Sequence, residues 1–426
     1  MKYAYMNGKI LDGSENMEPV EGKVILTDGD KIVDIVDKGT DLTGYKTVSL
    51  LGYYIMPGLI NLHVHLPGDG KPKKKKKDPV KQVKFFTMNA GMRSIAQAKC
   101  ETNIVFQLNG GVTTIRTMGG IRNFDTKIRD RILNDKIQGP RVLAANMAIS
   151  VPGGHMAGSL AYEATSSEAV VGYVRKLAEQ KVDLIKLMVT GGVLDATKEG
   201  EPGEVKMPAP YIKAACDEAH KLGLKVAAHA ESPEGVKIAL ENGVDTIEHG
   251  AKPDDEMIDL FKKTGASLVA TLSPALPYAL FDRSVSNITD VEQHNGKIVF
   301  DGIIECAKAC LENGIPVGLG TDTGCPYVTH YDMWRELNYF HKFCGVSNAF
   351  ALYTATKRNA EIAGIGDLTG SIEPGKCADL LVTKENPLED LTTLRDPVSV
   401  IAKGKIFNQL RFLKYQNVED ELDKFI

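Results

Sequence analysis

Four of the chain's nine histidines stand at the ends of short apolar runs: His63 and His65 in LINLHVH, His229 in KVAAHA and His249 in DTIEHG. Asp322 ends a similar run, PVGLGTD, and Lys186 lies inside another, DLIKLMV. Imidazole and carboxylate are the ligands that suit zinc and similar divalent metals. Two such metals close together lower the pKa of a water between them and polarise a carbonyl, which is what hydrolysis of an amide needs. Singly, these residues say little. A histidine at a strand end usually satisfies a local hydrogen bond, an aspartate after Gly-Thr often caps a helix, and a lysine in a strand often snorkels. Five of them at the same end of apolar runs, with Lys186 inside another, is the informative pattern. Lys186 is the most telling, because an ammonium in a buried strand is costly. Converted by CO2 to a carbamate, its amine would become a bidentate anionic ligand able to bridge two metals.

The elements that must position these residues follow from periodicity. Alternation along a strand puts His63 and His65 on one face. Eight runs read as strands: 57–65, 112–119, 141–150, 182–189, 225–230, 245–250, 267–272 and 316–322, with helical stretches such as 210–223 and 301–314 between them. Eight consecutive βα units predict an α/β fold, a (β/α)8 TIM barrel with its catalytic groups at the C-terminal strand ends. Residues 1–55 alternate apolar and polar residues between Gly and Asp punctuation, and similar material returns in 370–411. This predicts a small β-sandwich made from both ends, a barrel over 56–369, and a tail at 412–426. One insert stands apart. GDGKPKKKKKDPVK (68–81) carries six lysines between 71 and 77 and reads as a solvated loop on the active-site face, or as a lid or an anionic contact surface.

Bulk composition narrows the field. The 426 residues suit one barrel plus a satellite, and 43% hydrophobic with 25% charged residues is ordinary for a globular protein. A net charge of −4 gives no reason to expect a nucleic-acid partner. Seven scattered cysteines without a CxxC pair argue against a disulfide framework and for a reducing compartment. The N-terminal stretch MKYAYMNGKILDG has no apolar signal core, and no run approaches the ~20 apolar residues of a membrane span. The expected location is the cytoplasm, with no membrane partner; homo-oligomerisation is left open.

MPGLINLHVH resembles the first-strand signature of the amidohydrolase superfamily, and GSIEPGKCADLLV is similar to the segment that returns to its β-sandwich. Lys186, His229, His249 and Asp322 match the remaining ligand positions of the subtype with a carboxylated lysine. DLIKLMVTGGVLDATKEG and VPGGHMAG resemble the strand-4 and strand-3 segments of a prolidase-like branch, which holds Xaa-Pro dipeptidases and metal carboxypeptidases. Relatives associated with Xaa-Pro cleavage tend to carry tyrosine two residues after the strand-5 histidine, where this chain has Glu231.

The resemblance implies a metal-dependent hydrolase that cleaves a peptide or related amide C–N bond in a small, carboxylate-bearing substrate through a metal-bridging hydroxide. One divalent metal, zinc by ligand type, would take His63, His65, Lys186 and Asp322; the other would take Lys186, His229 and His249. Asp322 would pass the water proton to the leaving amine. His155 would act beside it, holding the substrate carbonyl or carboxylate. Glu231, near the mouth, would favour a basic substrate group, unless it serves only to cap the following helix. Two other readings remain. Imidazolonepropionase-like deaminases and hydantoinase-like cyclic amide hydrolases share the superfamily, but the former generally lack the strand-4 lysine and the latter fit the TGGV loop less well. A non-enzymatic binding scaffold would have lost ligands, and none is lost.

Overall fold

The computed structural model describes residues 1–72 and 78–426. Most of the lysine run, at 73–77, lies outside the described residues.

The parallel strands form two sheets. Leu59–Val64, Val112–Thr117 and Arg141–Leu143 make a three-stranded one. The other has seven strands, in the order Ala161–Glu163, Ala148–Ser150, Leu184–Met188, Lys225–Ala230, Thr246–His249, Ser267–Ala270 and Val317–Leu319. All eight expected runs contain strand. The third, 141–150, divides in two, and its halves belong to different sheets. Asn146 between them has φ 58°, a left-handed turn that no ladder continues through. A further short strand, Ala161–Glu163, extends the edge. The hydrogen-bonded ladders therefore do not close into one ring. First and last segments meet at a single bridge, Val64 to Thr323.

Leu59–Val64, Val112–Thr117 and Leu184–Met188 are buried along their whole length. That is why Leu59–Val64 and Leu184–Met188 read as largely apolar rather than alternating, while Val112–Thr117 buries its threonines and Arg116 as well. Helices connect the strands, and their starts are written in the sequence. Ser166, Ser232 and Asp254 each accept a hydrogen bond from the backbone N–H three residues on.

Strands from near both ends share one five-stranded sheet, in the order Lys405–Phe407, Ser399–Ala402, Leu380–Thr383, Tyr54–Pro57 and Lys9–Ile10. Leu380–Thr383 runs antiparallel to Tyr54–Pro57. A four-stranded sheet, Lys31–Asp37, Lys23–Asp28, Lys2–Met6 and Lys46–Ser49, contributes Tyr5, Ile25 and Ile32 to a core shared with Ile55, Leu380 and Ile401. The last residues are docked, not loose. The helix Gln416–Leu422 buries Val418, and Glu419 pairs with the buried Arg335 at 3.0 Å. Among the described residues no disulfide forms, and no helix is long and apolar enough to cross a membrane.

Candidate active site

The strands deliver the six candidate ligands to one place. His63, His65, Lys186, His229, His249 and Asp322 are all at most 8% exposed. The ring centroids of His63 and His65 are 5.4 Å apart, those of His63 and His249 4.9 Å, and those of His229 and His249 4.7 Å. His63 Nε2 and His65 Nε2 lie 3.6 and 3.2 Å from Asp322 Oδ1. Donor atoms of His63, His249 and Asp322 fall within 4.8 Å of one another, as do those of His229, Glu231 and His249. His249 and Asp322 both have positive φ, 73° and 53°. Such backbone outliers cost energy and cluster where function holds them.

Each histidine is aimed by its second nitrogen. His63 Nδ1 donates to Glu248 Oε2 at 2.9 Å, and His65 Nδ1 donates to the Gly119 carbonyl at 2.8 Å. His249 Nδ1 meets Thr271 Oγ1 at 2.6 Å. All three thus leave Nε2 facing inward. His229 does the reverse, with Nε2 donating to the Gly191 carbonyl at 3.2 Å and Nδ1 left over. Outer partners of this kind fix ring orientation and basicity in metal sites. Room for His63 depends on Gly320, where a Cβ would come within 2.5 Å of the histidine's own Cβ.

The electrostatics suit cations. Lys186 Nζ is buried without a hydrogen-bond partner, and burial pulls its amine down to about 8. An amine lowered that far is more often in the neutral form that reacts with CO2 than an ordinary lysine is. Burial likewise lowers His63 to about 4 and holds His229 and His249 well below the usual imidazole range, with neighbouring positive groups adding to the effect. Burial opposes ionisation of Asp322, but the flanking His63 and His65 outweigh it and keep its carboxyl well below the usual range. Inward-facing imidazole nitrogens and a carboxylate are donor types that a divalent metal takes, and Lys186 adds a buried amine without a partner beside them. The residues present fit the group.

Behind the ligands lies a charged pair that sequence reasoning missed. Arg116 donates to Glu248 Oε1 at 2.7 Å and, through Nε, to the Leu62 carbonyl. Both side chains are buried. Burial opposes the charge on Glu248, and Arg116 and His63 together hold its carboxyl well below the usual range. Arg116 in VTTIRT and Glu248 in DTIEHG are charges in fully buried strands, as Lys186 is, but neither interrupts an apolar run.

His155 sits in the loop after Ala148–Ser150, its ring stacked on His229 at 4.3 Å. Its partner Asp195 was not foreseen either. Glu231 lies beside His229. Ser232, not Glu231, caps the following helix. The Glu231 Oε2 atom is sealed from solvent without a hydrogen-bond partner, and burial, then Asp322 and Asp195, push its carboxyl up to about 8.

A profile of the amidohydrolase family matches residues 54–407. The chain belongs to the amidohydrolase family. A candidate prolidase from Bifidobacterium longum has a crystal structure that superimposes with a TM-score of 0.87, at 35% identity, covering 99% of this chain and 98% of that one. A Xaa-Pro dipeptidase solved with bound methionine gives a TM-score of 0.83 at 28% identity, over 96% of this chain and all of the other. Ochratoxinase from Aspergillus niger is 25% identical over 92% of this chain and 84% of its own. This amidohydrolase is accordingly a hydrolase acting on carbon–nitrogen bonds.

Proposed function

We propose that this amidohydrolase cleaves a peptide or related amide bond in a small, carboxylate-bearing molecule, as a dipeptidase or carboxypeptidase-like enzyme with two divalent metals, zinc by donor type. The observation that carries the reading is the partnerless amine of Lys186, buried among three inward-facing Nε2 atoms and the Asp322 carboxylate. In this reading the parallel strands enclose a (β/α)8 barrel over 56–369. Residues 1–55 and 370–411 form a β-sandwich beside it, and 412–426 is a docked tail.

His63, His65, Asp322 and a Lys186 carbamate would hold one metal; the same carbamate with His229 and His249 would hold the other. When bound, the pair supplies polarisation of the scissile carbonyl and a lowered pKa for the attacking water. The chain's own residues do the rest. Asp322 receives the water proton and delivers it to the leaving nitrogen. His155 orients the substrate carbonyl or carboxylate from the strand-3 loop. The buried histidines and apolar strands exclude bulk water, which strengthens each of these interactions.

Two results test this. Elemental analysis of fully loaded, active enzyme should give about two divalent metals per chain; a maximum of one defeats the paired site. A library of dipeptides and N-acyl amino acids should then yield a released amino acid. Within that library the buried Glu231 carboxyl supports a preference for a basic group, since a substrate cation beside its partnerless oxygen would offset the burial that holds it protonated. Peptides ending in Arg or Lys should show higher kcat/KM than those ending in Asp or Glu, and Glu231→Gln should flatten the difference. A preference for acidic ends removes Glu231 from substrate recognition.

A further inference from the structure

We infer that Asp195 is a positioning residue that sets the orientation and tautomer of His155, and that Gly192 makes the space in which it does so. The inference rests on the reading that His155 meets substrate. Asp195 ends the short turn Val193–Asp195, in the loop that follows the Lys186 strand. Its Oδ2 atom accepts from His155 Nδ1 at 2.5 Å and from the Gly192 N–H at 2.9 Å. A carboxylate only accepts, so Nδ1 carries the proton and Nε2 is the ring nitrogen left for substrate.

A second constraint acts at right angles to the first. The His155 ring lies flat on the His229 ring, with centroids 4.3 Å apart and planes 7° from parallel. The hydrogen bond fixes rotation within the ring plane, and the stack fixes the plane. Gly192 completes the seat: a Cβ there would stand 3.0 Å from His155 Cε1 and 3.2 Å from Nδ1. The same loop supplies the Gly191 carbonyl that accepts from His229 Nε2. The Gly191 N–H donates to the Glu204 carbonyl at 2.9 Å, and Thr190 bridges to Val205, so the loop is itself pinned. One segment, TGGVLD, therefore positions a candidate ligand and a candidate substrate contact together. A merely local role for Asp195, closing its own turn through Gly192, would leave His155 indifferent to its removal.

The experiment uses full-length, metal-loaded enzyme carrying ¹⁵N-labelled histidine. His155→Gln identifies the His155 cross-peaks by their loss. Wild type should show His155 protonated at Nδ1, and Asp195→Ala and Asp195→Asn should both lose that tautomer signature while metal content stays at the wild-type level. Asp195 is 37% exposed at its side chain, so the replacements leave the core in place. With the amide substrate found by the library, kcat/KM of Asp195→Ala should fall about 10- to 100-fold, by analogy with carboxylates that orient metal-binding histidines. The His155→Gln/Asp195→Ala double variant should be no worse than His155→Gln alone. An unchanged His155 signature in both Asp195 variants, or losses that simply add, overturns the inference. Wild-type kcat/KM in His155→Gln would instead defeat the role given to His155 in the proposed function; the tautomer measurement, made without substrate, still decides the case for Asp195.

Discussion

Lys186→Ala is expected to lose bound metal and turnover together. The amine is buried, has no hydrogen-bond partner, and stands in the middle of a strand whose neighbours are all buried. As an ammonium it would repel cations from the very cluster that the histidines face. As a carbamate it would contribute an anionic oxygen to each metal, and no other side chain of Leu184–Met188 offers a donor of that kind. Outer partners of metal ligands are typically worth about 10- to 100-fold in affinity or activity, and removal of a direct ligand should exceed that. Metal content by elemental analysis should fall below one per chain, while far-UV circular dichroism stays native. A short carboxylic acid in the buffer should restore part of both. Enzyme loaded with ¹³C-labelled CO2 should show a carbamate carbon resonance that is missing from the variant. Full metal content and turnover in Lys186→Ala would end the bridging role.

Asp322→Asn separates holding metal from moving protons. Asp322 lies within 3.2 Å of His65 Nε2 and 3.6 Å of His63 Nε2, and the charge around it keeps its carboxyl ionised. An asparagine amide can occupy the same space and still offer an oxygen, but it cannot take a proton from water and return it to an amine. Groups with that duty commonly contribute ~10²–10⁴-fold. Turnover should drop by that order while metal content stays near the wild-type value. Near-normal kcat in a verified Asp322→Asn preparation would assign the proton transfer to another group.

The candidate ligands were legible because each interrupts an apolar strand with a polar group, and strand ends are where such a fold places its chemistry. Some strands were legible for the same reason: burial on both faces writes itself as a largely apolar run, as in DLIKLMV. What could not be read was pairing across long separations. Nothing local to VTTIRT says that Arg116 meets Glu248, 132 residues away, or that Glu248 then steers His63. Nothing in VPGGHMAG names Asp195 as the partner of His155. The split of 141–150 was equally hidden, because a single left-handed asparagine does not disturb an apolar pattern. Glu231 was visible as a charge beside His229. That one oxygen of its carboxyl lies sealed and without a partner depends on tertiary packing, which no sequence window contains.

The five-stranded sheet has a consequence for how the protein is made. Its strand Tyr54–Pro57 takes Leu380–Thr383 as an antiparallel neighbour, roughly 320 residues further along the chain. A ribosome adding about 5–20 residues per second needs on the order of tens of seconds to cover that distance. Through that interval one side of Tyr54–Pro57 waits with open backbone donors and acceptors, the kind of edge that recruits stray strands. The nascent chain therefore carries an open edge at Tyr54–Pro57 through that interval, and a chaperone that shields this strand until Leu380–Thr383 has been made should raise the yield of native enzyme.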